Sequence, residues 1–203
     1  MKSDTLSRLV QGVYYLFLGL WFGAMVMLAV GAPVTFRTVR VHQPALGLVP
    51  YNEPSLAADG PNILAGAITG NHLRALSVVQ AICAIVTLGC VVLQTTLFKT
   101  QVRPGYANAL RSLLIALPAC VLVFDEAVLS PNVWKQRAVM YDTTLNIDAR
   151  EKARAQFNVL HKRSEKIVGS AALMLAAALV LSPLALSVGP SQVTGNKPDE
   201  QAE

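Results

Sequence analysis

The sequence predicts an all-α fold: a bundle of four transmembrane helices with an additional polar helix between the third and fourth spans. Composition is the first observation behind this prediction, because 53% of the 203 residues are hydrophobic and only 14% are charged. A soluble domain would carry about 25% charged residues. The second observation is four apolar stretches, each close to the ~20 residues that a helix needs to cross a hydrocarbon core of ~30 Å. They lie at about 9–30, 75–98, 112–129 and 167–186.

We expect these stretches to form a single membrane domain at residues 1–188, followed by a polar, disordered tail at 189–203. The first apolar run follows Lys2 and Arg8. It is longer than the roughly 7–15 residues of a signal-peptide core, so it is interpreted as a retained helix. The predicted spans are about 9–32, 73–98, 110–130 and 166–187.

Prolines and glycines set the expected ends of the first two helices. The first helix is expected to end near Pro33, and an irregular loop rich in Pro and Gly to connect Arg37 with Pro61. The second helix begins either at Asn62, as an over-long helix, or near Leu73, after a short interfacial segment. Length alone does not distinguish these two alternatives.

The third helix contains Pro118 in its middle, where a missing backbone donor is expected to produce a kink, and Pro131 is expected to close it. A polar segment, 132–166, follows. Asp148 and Glu151 in this segment make a candidate capping box for a polar helix that begins near residue 149. One face of that helix should lead directly into the fourth span; it carries Phe157, Leu160, His161, Ser164 and Val168.

The basic residues predict how the chain lies in the membrane. Four crossings place both termini on the same side, and eleven of the 17 Lys and Arg residues fall on the opposite side. The positive-inside rule therefore places the long loops in the cytoplasm. The net charge of +5 is interpreted as contact with anionic lipid rather than with nucleic acid. We expect an integral, multi-pass protein of a bacterial inner membrane, with the lipid bilayer as its main partner.

Four titratable residues are expected to gather at one end of the bundle. His72 begins the second span, His161 precedes the fourth, and Asp125 with Glu126 lies near the end of the third. Imidazole is a common ligand of haem iron, copper and zinc, so we interpret His72 and His161 as candidate ligands of a haem or a metal ion, with Asp125 and Glu126 as further metal ligands. Alternatively, the histidines are interfacial residues and the two carboxylates lie at headgroup level or pair with a nearby Arg or Lys.

Two GxxxG patterns suit close helix packing in lipid. They are Gly19 with Gly23 in the first span, and Gly66 with Gly70 before the second. We expect both to pack helices within the bundle, although a homo-oligomer interface is an alternative. The chain has no P-loop, GxSxG, HExxH or Rossmann glycine pattern, which favours a function other than catalysis.

Several short motifs resemble those of the transmembrane protein 205-like family, a four-helix integral membrane domain of unknown function. The similar segments are 20–24 (LWFGA), 32–36 (APVTF), Ala65-Gly66 leading into Leu76, Pro131 with Arg137, and F-x-x-L-H-x-x-S at 157–164. The resemblance covers about residues 9–187. It implies a four-helix membrane fold but no established reaction, and a distant architectural similarity to copper-resistance and haem-related membrane proteins favours the haem or copper hypothesis. Asp125 and Glu126 depart from the pattern, because uncharged residues are expected there.

These patterns lead to three hypotheses of function. The first is an uncharacterised membrane protein of this family that binds haem or copper through His72 and His161. The second is a channel or exporter for small cations or metal complexes, which rests on Asp125, Glu126 and Pro118. The third is an assembly partner for other membrane proteins, which rests on the GxxxG patterns.

Overall fold

The structure, a computed structural model, describes residues 2–42, 56, 59–98, 102 and 105–186. It confirms an all-α bundle built from four long apolar helices. The elements are α1 (Lys2–His42), α2 (Gly60–Thr96), α3 (Tyr106–Phe124), a π-helical segment (Asp125–Leu129), α4 (Ser130–Met140) and α5 (Ile147–Ala185). Because α3, the π-helical segment and α4 follow one another without a break, they form one continuous long helix.

A repeat of buried side chains at alternating intervals of four and three residues holds the helices together. This spacing keeps one stripe of each helix facing its neighbours, as in coiled-coil packing. The repeat is clearest for Tyr14, Leu18, Trp21 and Met25 on α1, and for Ala171, Leu175, Ala178 and Ser182 on α5. The closest packing is between α1 and α2 and between α3 and α5.

The opposite faces of the helices carry large apolar side chains that point away from the bundle. Leu16, Met27, Ile85, Leu173 and Val180 are each at least 65% exposed. Such a surface is unfavourable in water and suits lipid tails. All four long helices have the length and apolar composition needed to cross a membrane. The protein is therefore an integral membrane protein whose outer surface contacts the bilayer.

Each long helix is nearly twice as long as the hydrocarbon core is thick. At 1.5 Å per residue, α1 with 41 residues spans about 62 Å and α5 with 39 residues spans about 58 Å, against a core of ~30 Å. The apolar runs therefore cover only part of each helix. Beyond these runs the helices continue the bundle at one end as a polar extension, formed by residues 31–42, 60–74, 130–140 and 147–166. We call the junction between the apolar runs and the polar extension the membrane boundary.

The polar extension corrects two expectations about helix ends. The prediction that the first helix ends near Pro33 is wrong, because α1 continues through Pro33 to His42. Val39 in this continuation is only 7% exposed, so packing in the extension outweighs the cost of the proline. The second helix begins at Gly60, which selects the over-long alternative. The predicted irregular loop falls largely on residues 43–55 and 57–58, which lie outside the described residues.

The expectation that Pro131 closes the third helix is also wrong. Pro131 is the second residue of α4, and the continuous helix passes through it to Met140. The π-helical segment lies directly before it, with the Ser130 N–H donating to the carbonyl of Asp125, one residue further back than in an α-helix. Pro118 lies inside α3 as predicted. The predicted kink at this residue stays a prediction.

A turn of six residues, 141–146, joins α4 to α5 and returns the chain along the bundle. Asp142 Oδ1 accepts hydrogen bonds from the backbone N–H and hydroxyl of Thr144, at 2.9 and 2.7 Å. These bonds favour the ionised carboxylate and lower the pKa of Asp142 below its usual value.

Asn146 Oδ1 caps α5 by accepting a hydrogen bond from the N–H of Ala149 at 2.8 Å. The predicted capping box at Asp148 and Glu151 is therefore wrong by two residues, although the continuous helix into the fourth span is confirmed.

A polar network ties all four long helices together at the end opposite the extension. Arg111 is fully buried and donates to Gln94 Oε1 and Asn108 Oδ1, each at 3.0 Å. Its guanidinium lies 5.2 Å from the ring centroid of Tyr14, a cation–π contact. The Tyr14 hydroxyl in turn lies 2.5 Å from Ser182 Oγ, which itself bonds the Ala178 carbonyl. Tyr14 is completely buried, so it belongs to the core of the bundle rather than to the interface with lipid headgroups.

Removing the Tyr14 hydroxyl should weaken the bundle measurably. We expect Tyr14→Phe to lower the free energy of unfolding by about 0.6 kcal/mol, and at most about 1.7 kcal/mol, the range for interhelical hydrogen bonds in membranes. Equilibrium unfolding in mixed detergent and SDS micelles, followed by circular dichroism, measures this change. Tyr106→Phe is the matched control, because Tyr106 is 97% exposed. Equal stability losses for the two variants would contradict a role for the Tyr14–Ser182 bond.

Candidate functional site

A cavity of about 230 Å³ lies between the helices at the membrane boundary. All four long helices contribute to its wall, so it is a feature of the assembled bundle rather than of one segment. We call it the boundary cavity. Its polar lining consists of Arg74, Ser77, Gln80, Asp125, Glu126 and Ser130, and its larger apolar lining includes Trp21, Met25, Pro118 and Trp134.

The π-helical segment places both carboxylates on the cavity wall. Asp125 and Glu126 are its first two residues, and the extra residue in this turn changes the direction of the side chains that follow α3. π-Helical turns occur frequently at functional sites, because they re-aim side chains at a small cost in backbone geometry. The segment therefore combines acidic side chains with a backbone distortion at the position where the bundle opens.

Serine hydroxyls, rather than arginines or lysines, hold the two carboxylates. Asp125 accepts hydrogen bonds from Ser164 Oγ at 2.9 Å and from Ser130 Oγ at 3.3 Å. Glu126 accepts a hydrogen bond from the hydroxyl of Ser77. Neutral donors orient a carboxylate without cancelling its charge. Among the described residues, neither carboxylate forms the ion pair with a nearby Arg or Lys that the sequence offered as an alternative.

A stack of two arginines on one tryptophan lies beside the carboxylates. The Cζ atoms of Arg74 and Arg137 lie 5.4 and 5.3 Å from the Trp134 ring centroid, within cation–π range. Arg137 also donates to the backbone carbonyls of Gly66 and Ile63, at 2.9 and 3.0 Å. These bonds fix Arg137 and Trp134 of α4 against α2, so Trp134 forms a rigid part of the cavity wall.

The inner end of the cavity contains buried polar groups. Trp21 is 1% exposed and Gln80 is 7% exposed, and both line the cavity. The indole N–H of Trp21 has no hydrogen-bond partner within the described part of the chain. A buried donor without a partner is costly in lipid, and a ligand or water in the cavity would supply the missing acceptor. By contrast, Arg74 and Glu126 at the other end are exposed, so the cavity opens outward.

A second cavity of about 420 Å³ lies further out, in the polar extension. Leu73 and Trp134 line both cavities, so the Trp134 ring forms part of the wall between them. An ion pair between Arg154 and Asp59 crosses from α5 to the residue that precedes α2. Burial beside this pair raises the pKa of Tyr141 in the α4–α5 turn above its usual value.

The two predicted histidine ligands do not meet in either cavity. His72 is exposed and lines neither of them. His161 lines the outer cavity, stacks on Phe157 with 5.4 Å between ring centroids, and lies 3.2 Å from Glu165 on its own helix. Within the described residues, no group of three or more His, Cys, Asp or Glu side chains is placed to hold a metal ion. Asp125 and Glu126 thus share a cavity with each other and with neither histidine.

The two GxxxG patterns differ in what they contact. A Cβ atom added at Gly66 would lie 2.6 Å from Nη2 of Arg137, and one added at Gly70 would overlap the Trp134 ring. These glycines therefore make room for side chains of α4, rather than for the backbone of another helix. Gly19 and Gly23 have open space where a Cβ would lie. The two pairs share one sequence pattern and have different surroundings in the structure.

Comparison of the chain with protein-family models, with curated proteins and with solved structures finds no match.

The Trp134 contact predicts a difference between the glycines. Gly70→Ala should lower the free energy of unfolding by about 1–3 kcal/mol, because the rigid indole ring must move to admit a methyl group. Gly23→Ala is the matched control and should leave stability within about 0.5 kcal/mol, because open space surrounds that position. Unfolding in mixed micelles measures both. A Gly70→Ala protein as stable as the Gly23→Ala protein would contradict the packing described here.

Proposed function

We propose that this protein binds a small cation or metal complex in the boundary cavity and passes it across the membrane as a channel or exporter. The observation that carries the proposal is that Asp125 and Glu126 line one cavity together. The lining holds these two carboxylates and one guanidinium, that of Arg74, so its net charge is −1 when all three are ionised. A cavity of this charge attracts cations to a site that neutral walls would leave empty.

The hydrogen bonding of the carboxylates supports ligand binding. An ionised carboxylate has about four acceptor positions, and the serine bonds to Asp125 and Glu126 use only some of them. The remaining positions are available to the donors of a cation. Acidic side chains near the hydrocarbon core are costly, and those that persist there commonly mark ion or proton pathways.

A row of polar side chains on α2 supports passage of the cation from the cavity across the hydrocarbon core. Ser77, Gln80, Thr87 and Gln94 follow the three-and-four spacing of the inward face, and the last three are less than 9% exposed. From 77 to 94 the row rises about 26 Å, close to the thickness of the hydrocarbon core. Within the described residues, Thr87 Oγ1 and Gln94 Nε2 have no hydrogen-bond partner.

Arg111 stands at the far end of this row, where it binds Gln94. A positive charge in a pathway raises an electrostatic barrier to cations. The arrangement therefore supports a site that is open at the polar extension and closed at the opposite end. Release on that side would require Arg111 to move away from Gln94.

Three further proposals rest on the sequence. The chain belongs to the transmembrane protein 205-like family, it lies in a bacterial inner membrane, and both of its termini are on the same side. Haem or copper binding at His72 and His161 rests on the sequence alone, because the two side chains lie in different surroundings. Homo-oligomerisation through α1 has one structural observation in its favour, which is the open space at Gly19 and Gly23.

Cation binding should depend on the two carboxylates. Both tryptophans of the chain, Trp21 and Trp134, line the cavity, so intrinsic fluorescence reports on its contents. We expect ethanolamine, a small organic cation, to change this fluorescence in a saturable way. Asp125→Asn or Glu126→Gln should weaken its binding about tenfold or more, because each removes a charged acceptor.

Glu151→Gln is the matched control for these variants, because Glu151 is exposed on α5 and does not line the boundary cavity. It should bind ethanolamine with the affinity of the unmodified protein. Uptake of radiolabelled methylammonium into proteoliposomes tests the transport step, and Asp125→Asn should reduce that uptake. Equal ethanolamine affinity in the Asp125→Asn, Glu126→Gln and Glu151→Gln proteins would overturn the proposed function.

A further inference from the structure

We propose that the ligand of the boundary cavity is a zwitterion that carries an ammonium group and a phosphate. This inference rests on the cation-binding function proposed above and extends it to a second charge on the ligand. The shared chemistry is an ammonium joined through an ethyl group to a phosphate, either in free ethanolamine phosphate, which carries a second phosphate charge at neutral pH, or in the headgroup of a lipid, which carries one. Asp125 and Glu126 bind the ammonium, and Arg74 binds the phosphate.

Opposite charges line the cavity without neutralising one another. Among the described residues, the guanidinium of Arg74 forms no ion pair with Asp125 or Glu126, although all three line the same cavity. Serine hydroxyls hold the carboxylates, and the Trp134 ring holds Arg74. Separated charges of opposite sign are complementary to a ligand with the reverse arrangement, and a simple cation would use only one of them.

The cavity wall carries hydrogen-bond donors that the described residues leave without an acceptor. One is the guanidinium of Arg74, which lies at the exposed end of the cavity and is positioned by its contact with the Trp134 ring. The indole N–H of Trp21, 1% exposed on the same cavity wall, also lacks an acceptor. Guanidinium groups suit the oxygens of phosphate, which accept several hydrogen bonds at once. A bare cation supplies no acceptor to either group.

The size and position of the cavity suit such a ligand. A cavity of about 230 Å³ has room for an organic solute of several non-hydrogen atoms. A single dehydrated metal ion would leave most of that volume unfilled. The cavity also lies at the membrane boundary, the depth of lipid headgroups, and Leu28, Val121 and Leu122 give one part of its wall an apolar character.

Titration of the full-length protein with two matched probes tests the inference. Ethanolamine and ethanolamine phosphate share the ammonium and differ in the phosphate. In nanodiscs made from phosphatidylglycerol, calorimetry and tryptophan fluorescence should show that ethanolamine phosphate binds at least about tenfold more tightly. Arg74→Gln should abolish this preference without weakening ethanolamine binding, because removal of the guanidinium makes the cavity lining more negative. Retained ethanolamine binding also shows that the variant is folded. Arg163→Gln, at an exposed position on α5 outside the cavity, should keep the preference.

The outcomes separate the inference from the function on which it rests. Ethanolamine binding that needs Asp125, combined with no preference for the phosphate, would overturn the zwitterion and leave the cation site standing. If Arg74→Gln weakened the binding of ethanolamine and of ethanolamine phosphate equally, the zwitterion would also be overturned. If Arg74→Gln removed only the preference for ethanolamine phosphate, the zwitterion would be supported.

A second arm identifies the source of the zwitterion. Nanodiscs that contain phosphatidylethanolamine should weaken the apparent affinity for ethanolamine phosphate if the lipid headgroup occupies the cavity, and native mass spectrometry should then detect that lipid on the unmodified protein and not on Arg74→Gln. An affinity that is the same in both kinds of nanodisc would support the free solute as the ligand.

Discussion

Hydrogen bonds from serine hydroxyls to two carboxylates are the interaction on which the membrane boundary depends. They join the π-helical segment to α2 through Ser77 and to α5 through Ser164. The hydrocarbon core offers no hydrogen-bond partner, so a half-buried carboxylate at its edge, such as that of Asp125, depends on donors from the protein or its ligand. Because the donors are neutral, they add no positive charge that would offset the carboxylates. The same bonds that stabilise the bundle therefore leave the cavity electrostatically active.

The length of the helices explains why such a site can exist in a chain of this size. A bundle that ended at the headgroups would leave Asp125 and Arg74 at a frayed surface. Here α1, α2, α4 and α5 continue beyond the apolar runs and pack against one another, so the boundary lies inside folded protein. The polar extension thus converts the end of a membrane bundle into an enclosed position, with lipid around one half and polar surface around the other.

Sequence patterns predicted the four helices because long apolar runs have few alternative structures. They also identified Asp125 and Glu126, since charged residues stand out within an apolar run.

The same patterns missed the helix ends at His42 and Met140, because a proline predicts a break in a helix wherever tertiary packing does not compensate for it. They missed Ser77 and Gln80 because these polar residues matter only through partners such as Glu126, 49 positions away. Arg111 and Tyr14 were missed for the same reason, and the histidines were overvalued because sharing a membrane side does not make two side chains neighbours.

The contact of α2 with α4 has a consequence for how this chain can change over evolutionary time. Gly66 and Gly70 fit the shapes of Arg137 and Trp134, whose side chains occupy the space that larger residues would take. A substitution that enlarges either glycine is disfavoured unless the side chain that it contacts also changes. Among descendants of a common ancestor, a bulkier residue at 70 should appear together with a smaller one at 134. Correlated substitution between these positions would thus record a steric constraint rather than a shared ligand.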